Sequence, residues 1–248
     1  MNYIEYGKEN DEVLIFLHGG GLSWWNYKEV AEKLSPEYHI ILPILDGHAN
    51  SDSDFSTIED NAAEIIKFID GRFGGSVLLI GGLSLGGQIL LEILAERSDI
   101  CQYALIESAL TVPSKLTHDM IKPAFGSCYG LIKQKWFSKL QFKALKIKEN
   151  LFEDYFRDTC AITKSNMIAF LEANSLYNIK PAITNCNAKV YVVVGEKENK
   201  AMIKSGKLIH EKIQESVLHV LQGLYHGEFS INYADDYASK VQSIINEK

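Results

Sequence analysis

Val77-Leu78-Leu79-Ile80-Gly81-Gly82-Leu83-Ser84-Leu85-Gly86-Gly87 is the stretch that decides the fold. Residues 77–80 form an apolar run of buried-strand length, and Ile89-Leu90-Leu91-Glu92-Ile93-Leu94-Ala95 downstream is apolar over helical length. Between them Gly82-Leu83-Ser84-Leu85-Gly86 fits G-x-S-x-G. A serine on a sharp strand-to-helix turn is held in a strained conformation, and glycines two residues either side let chains approach closely. The hydroxyl then stands above the sheet, and the helix start supplies free N–H groups for a developing oxyanion. Five residues with three fixed positions arise by chance. The strand before and the helix after make the match specific.

Working outward, residues 12–17 form a second buried strand running into His18-Gly19-Gly20-Gly21. Tyr27, Val30, Ala31 and Leu34 then keep helical spacing up to Ser35-Pro36. Residues 38–43 read as a strand, and residues 3–6 as a short edge strand. Thr57-Ile58-Glu59-Asp60 resembles a capping box, with Ala62, Ile65, Ile66 and Ile69 on the helix face behind it. Residues 103–107 form the strand after the elbow helix. Alternating strands and helices predict a parallel sheet covered by helices.

The alternation breaks at residues 108–187, which are rich in helix formers and aromatics. A loop of that length is improbable inside a compact domain, so an inserted helical cap is expected. Strand, helix, strand and helix resume at residues 189–195, 201–213, 217–221 and 233–245. The expected organisation is α/β: a core of residues 1–107 and 188–248, with a cap at 108–187.

The chain has 248 residues and 46% apolar content, enough for one large core. A net charge of −7 without a dominant basic block argues against nucleic acid. The first residues lack the basic and apolar regions of a signal peptide. No apolar run reaches transmembrane length, so no stable membrane insertion is expected. Cys101, Cys128, Cys160 and Cys186 lie far apart without metal-ligand spacing, as free thiols in a reducing cytoplasm do. The Gly-rich turn lacks the G-K-[ST] and G-x-G-x-x-G patterns, so no nucleotide cofactor and no metal are expected.

A serine nucleophile needs a base, an orienting acid and oxyanion donors. Sites in parallel sheets gather where strands end. His226, in Gly223-Leu224-Tyr225-His226-Gly227 after the last strand, is the candidate base. His48, in a polar loop after a strand, is its rival, while His18 suits a structural role in the Gly-rich turn. Glu198 in Gly195-Glu196-Lys197-Glu198 is the candidate acid, with Glu196 and Glu107 as alternatives. The backbone N–H of Leu85 is one expected oxyanion donor and that of Gly20 the other, with Gly21 second to it. Gly21, Trp24 and Trp25 are candidate substrate contacts, with core packing open for either tryptophan.

With His18-Gly19-Gly20-Gly21, Gly82-Leu83-Ser84-Leu85-Gly86, Gly195 with Glu198, and His226-Gly227 in place, the chain resembles the α/β-hydrolase superfamily, in its capped esterase, lipase and C–C hydrolase branch. The order Ser84, Glu198, His226 is the one this resemblance implies. The family most often has Asp where Glu198 stands. The resemblance implies an α/β-hydrolase fold and a cofactor-free serine hydrolase, with a small apolar ester as the foremost substrate. Thioester or C–C bond cleavage would use the same triad, and a non-catalytic ligand-binding role is the third reading. Oligomeric state is left open. Residues 133–148 hold six lysines interleaved with aromatics, the pattern of an amphipathic cap helix with a solvated cationic face.

Overall fold

A computed structural model describes residues 1–247. The strands are β1 (Tyr3–Tyr6), β2 (Val13–Leu17), β3 (His39–Pro43), β4 (Val77–Leu83), β5 (Cys101–Glu107), β6 (Lys189–Gly195) and β7 (Val217–Leu221). They form one sheet in the order β1-β3-β2-β4-β5-β6-β7. Only β1 runs antiparallel to its neighbour; every other pairing is parallel. The edge strands are thus the short N-terminal β1 and β7, and the apolar β2 and β4 lie inside, as fully buried strands must.

Side-chain alternation along the strands builds two cores. Ile15, Leu17, Ile41 and Ile80 point to one face of the sheet, packing with helices α2 (Ile58–Phe73), α3 (Leu85–Glu96) and α8 (Lys200–Lys212). Leu14, Phe16, Ile40 and Leu42 point to the other, against α1 (Lys28–Leu34), α9 (Glu228–Asn232) and α10 (Ala234–Asn246). This is why β2 reads as an unbroken apolar run: both of its faces are covered. Helix α2 begins as its capping pattern predicts, with Thr57 Oγ1 accepting the Asp60 N–H at 2.9 Å. It ends at Gly74, whose φ of 69° supplies the left-handed turn.

Between β5 and β6 there is no strand. The chain forms α4 (Lys115–Ile132), α5 (Lys135–Ala144), α6 (Phe152–Ala161) and α7 (Lys164–Leu176), with short 3-10 turns between and after them. These helices are tied to the core by polar contacts. Gln88 on α3 donates to the carbonyls of Leu110 at 2.7 Å and Asn174 at 3.0 Å, and accepts from Asn174 Nδ2 at 2.9 Å. The Trp25 indole donates to Asp158 Oδ2 at 2.9 Å.

Register brings four strand ends to one level. Leu17 pairs with Gly82, Leu83 with Glu107, and Glu107 with Val193 two residues before β6 ends. The crossing point of those ends is where a parallel sheet presents its loops to a ligand.

Candidate active site

Ser84 sits between β4 and α3 with φ 53° and ψ −110°. Such a backbone costs a non-glycine residue about 1–3 kcal/mol and persists only when its surroundings hold it. Two hydrogen bonds do so: Ser84 N–H to the Glu107 carbonyl at 2.8 Å, and Gln88 N–H to the Ser84 carbonyl at 3.0 Å. The flanking glycines are required by contact. A Cβ on Gly82 would stand 2.4 Å from the Gly86 carbonyl oxygen, and one on Gly86 would stand 2.1 Å from that of Leu17. The elbow can therefore turn only where the chain has no side chain.

Ser84 and His226 line the same cavity, of about 120 Å³, together with Gly19, Gly20, Leu22 and Leu145. His226 reaches it because the loop after β7 folds against the end of β6; a Cβ on Gly195 would stand 2.3 Å from the Leu224 carbonyl oxygen. His226 Nδ1 lies 2.8 Å from Glu198 Oε2. The other carboxylate oxygen of Glu198 accepts the Ser108 hydroxyl at 2.7 Å and the Gly195 N–H at 2.7 Å. Burial alone would raise the Glu198 carboxyl. The hydrogen bond and charge of His226, with the Gly195 and Ser108 donors, outweigh burial and hold it below the usual carboxylate range. The Glu198 side chain is only 1% exposed. Among the described residues, no three His, Cys, Asp or Glu side chains are grouped to hold a metal ion.

The family model for the alpha/beta hydrolases matches residues 14–238, from β2 into α10. The chain belongs to the alpha/beta hydrolase family. Solved structures share its fold. An esterase from Thermogutta terrifontis superposes at TM-score 0.78 with 14% identity, over 98% of this chain and 91% of the other. MenH from S. aureus gives 0.78 and 17%, over 99% and 97%. The enol-lactonase from Burkholderia xenovorans LB400 gives 0.83 and 14%, over 99% and 96%.

In this alpha/beta hydrolase the other sequence candidates take different places. Glu196 points outward and accepts the Gly223 N–H at 2.9 Å, bracing the loop that carries His226. His48 is buried with both ring nitrogens engaged: Nε2 accepts the Gly21 N–H at 3.0 Å and Nδ1 lies 3.0 Å from the Asp46 carbonyl. Burial lowers its pKa to about 4, which keeps it neutral. His18 is likewise spent, on the Gly19 carbonyl at 2.9 Å and the Leu45 N–H at 3.1 Å, and burial lowers it to about 3. The two imidazoles meet edge to face at 4.9 Å and lock the Gly-rich turn onto the loop after β3. Asn26 Oδ1 adds a third tie to that turn, accepting the Gly19 N–H at 3.3 Å. The Gly21 N–H is thereby occupied, while the Gly20 N–H donates to no group among the described residues.

Trp24 and Trp25 are candidate substrate contacts for which the sequence leaves core packing equally open. Neither lines the cavity beside Ser84 or the one next to it. Trp25 is 1% exposed and spends its indole N–H on Asp158, and Trp24 packs against the α1 side of the core. The 3-10 turn formed by Trp24–Tyr27 directs them away from the site. Gly21 does line the neighbouring cavity of about 130 Å³, opposite Phe125, Ile132, Met167 and Phe170 of the inserted helices.

Glu107 does not reach His226. Its Oε1 accepts the Ser230 N–H at 3.3 Å. Burial pushes its carboxyl up to about 7, against the pull of the Ser230 hydrogen bonds and with the Glu198 charge adding to the rise. The unfolded chain titrates this group near its ordinary 4.5 and the folded chain near 7. Between those values the native state keeps a proton that the unfolded state has lost. Raising the pH through that window therefore destabilises the fold, and above it the penalty is complete. Glu107→Gln removes the penalty. Denaturant titrations are expected to show the variant gaining on the parent from pH 4.5 to about 7, by about 3 kcal/mol in all. A difference that stays constant with pH contradicts a protonated Glu107.

Proposed function

We propose that the chain is a serine hydrolase acting on small, largely apolar carboxylic esters, with Ser84 as nucleophile, His226 as general base and Glu198 as orienting acid. The observation that carries this reading is the fixed pair of His226 and Glu198 at 2.8 Å, on the same cavity as a strained elbow serine. With Nδ1 donating to Glu198, Nε2 is the ring nitrogen left to work on Ser84.

Ser84 Oγ attacks the ester carbonyl as His226 Nε2 takes its proton. The Leu85 and Gly20 N–H groups receive the oxyanion. Leu85 is the first residue of α3 and the Gly20 N–H donates to no group among the described residues, so both are available at no cost to the fold. Each such donor is worth about 2.7–4 kcal/mol of barrier. The intermediate collapses as His226 passes the proton to the leaving alkoxide. Water, deprotonated by the same imidazole, then splits the acyl-enzyme into acid and free Ser84.

Residues 108–187 act in this reading as a cap. Their side chains Leu145 and Ile147 line the cavity that holds Ser84, and Leu145 also lines the neighbouring chamber. Two chambers of about 120 and 130 Å³ suit short acyl and alcohol groups. The expected result is a kcat/KM optimum at p-nitrophenyl acetate to butyrate, falling by about tenfold or more at laurate as added methylenes find no room. Acyl-CoA thioesters and vinylogous diketones belong in the same panel. Faster turnover of either than of any ester would replace the ester reading while keeping the triad.

A further inference from the structure

The charges of this protein are segregated. Residues 115–148 carry eight lysines against one acid, Asp119. Of 25 basic and 32 acidic side chains, 17 and 31 remain elsewhere, so a segment of net +7 sits on a body of net −14. The same segment holds six of the ten exposed large apolar side chains among the described residues: Leu116, Met120, Leu131, Trp136, Leu140 and Leu145. Leu116 is 77% exposed, and Trp136 and Leu140, one turn apart on α5, are 60% and 61% exposed. Single exposed apolar side chains are normal on a surface, but six gathered on one segment of about thirty residues are not. Lys133, Lys139, Lys143 and Lys146 enter no ion pair among the described residues. The surface of α4, α5 and the residues flanking them is therefore both cationic and apolar, and Leu145 at its end lines the cavity beside Ser84.

We propose that α4 and α5 form a docking face for an anionic lipid surface, with the active-site mouth turned toward it. Lysines beside tryptophan and leucine match an interface at which ammonium groups meet headgroup phosphates while apolar side chains enter the acyl boundary. The acidic body is repelled by the same surface, which fixes the orientation with α4 and α5 facing the lipid. Leu145 links the face to the interior, being exposed on the outside and lining the cavity that holds Ser84. Lys122, Lys135 and Lys148 pair with Glu172, Glu153 and Glu29 outside the segment, so a symmetric pairing of two copies through this face would set the unpaired Lys133, Lys139, Lys143 and Lys146 against their like, and charge disfavours it. No helix among the described residues is long and apolar enough to cross a membrane, so the docking is peripheral.

The test is cosedimentation with vesicles of phosphatidylcholine alone and of phosphatidylcholine with about one-third phosphatidylserine. Wild type is expected to partition about tenfold or more in favour of the anionic vesicles near 0.1 M salt, and to lose that preference near 1 M. Lys139→Glu with Lys143→Glu is expected to abolish the preference. Trp136→Ala with Leu140→Ala is expected to weaken binding about tenfold while circular dichroism stays unchanged. Ser84→Ala is expected to bind like wild type, which separates lipid docking from hydrolysis. Equal binding to both vesicles, no binding to either, or unchanged binding by both double variants would overturn the proposal. So would a dimer in sedimentation velocity that the same double variants dissolve, since a second copy would then be the occupant.

Discussion

Ser84→Ala is expected to lower kcat on p-nitrophenyl butyrate by about 10⁵-fold or more, the scale on which loss of a triad nucleophile acts. The fold is expected to survive. Ser84 Oγ makes no hydrogen bond to another described residue, so its removal leaves no buried group unpaired. Alanine inherits the same positive φ, held by the Glu107 carbonyl and the glycines around it. The oxyanion donors stay in place, so a residual rate of about 10³–10⁴ over water is expected. A variant retaining a tenth of the activity would mean that the elbow serine is not the nucleophile.

The second large effect is expected at Glu198. Glu198→Gln keeps the shape but offers an amide N–H₂ to His226 Nδ1, which forces the proton onto Nε2 and leaves the imidazole unable to accept from Ser84. A fall in kcat of about 10⁴-fold is expected, with little change in KM. Glu198→Asp keeps the charge but withdraws it by one methylene, away from Ser108 and Gly195 as well as from His226. Its activity is expected between those of wild type and Glu198→Gln. Glu107→Gln is expected to keep kcat within about one order of magnitude, because Glu107 serves Ser230 rather than the imidazole. Reversed results for Glu107 and Glu198 would move the acid to the end of β5.

The centre of the sheet is legible in the sequence because β2, β3 and β4 are buried along their whole length and read as apolar runs. The elbow is legible because its glycines are demanded by backbone contact at distances no side chain tolerates. The position of His226 is legible from strand order alone. The choice between Glu196 and Glu198 is not. Both follow Gly195 within one turn, and only the fold of the Gly223 loop sends one outward and the other toward the imidazole.

Ser108 carries no sequence signal for its part in holding Glu198. It acts from the next strand end, 90 residues away in sequence, with a φ of 54° that nothing in its neighbours announces. The sequence leaves the tryptophans undecided for a related reason. Proximity to the Gly-rich turn suggests the pocket, but a 3-10 turn rotates Trp25 toward Asp158, 133 residues downstream. His48 also reaches its partner Gly21 across the fold, although its location after a strand suggests a base.

The central claim is that Ser84 is a nucleophile activated by His226 on Glu198, and a fluorophosphonate probe tests it most directly. Intact-mass and peptide mapping of the treated native protein are expected to find one adduct, on Ser84, formed far more slowly in His226→Ala and absent from Ser84→Ala. An adduct elsewhere, or unchanged labelling of Ser84→Ala, would contradict the account.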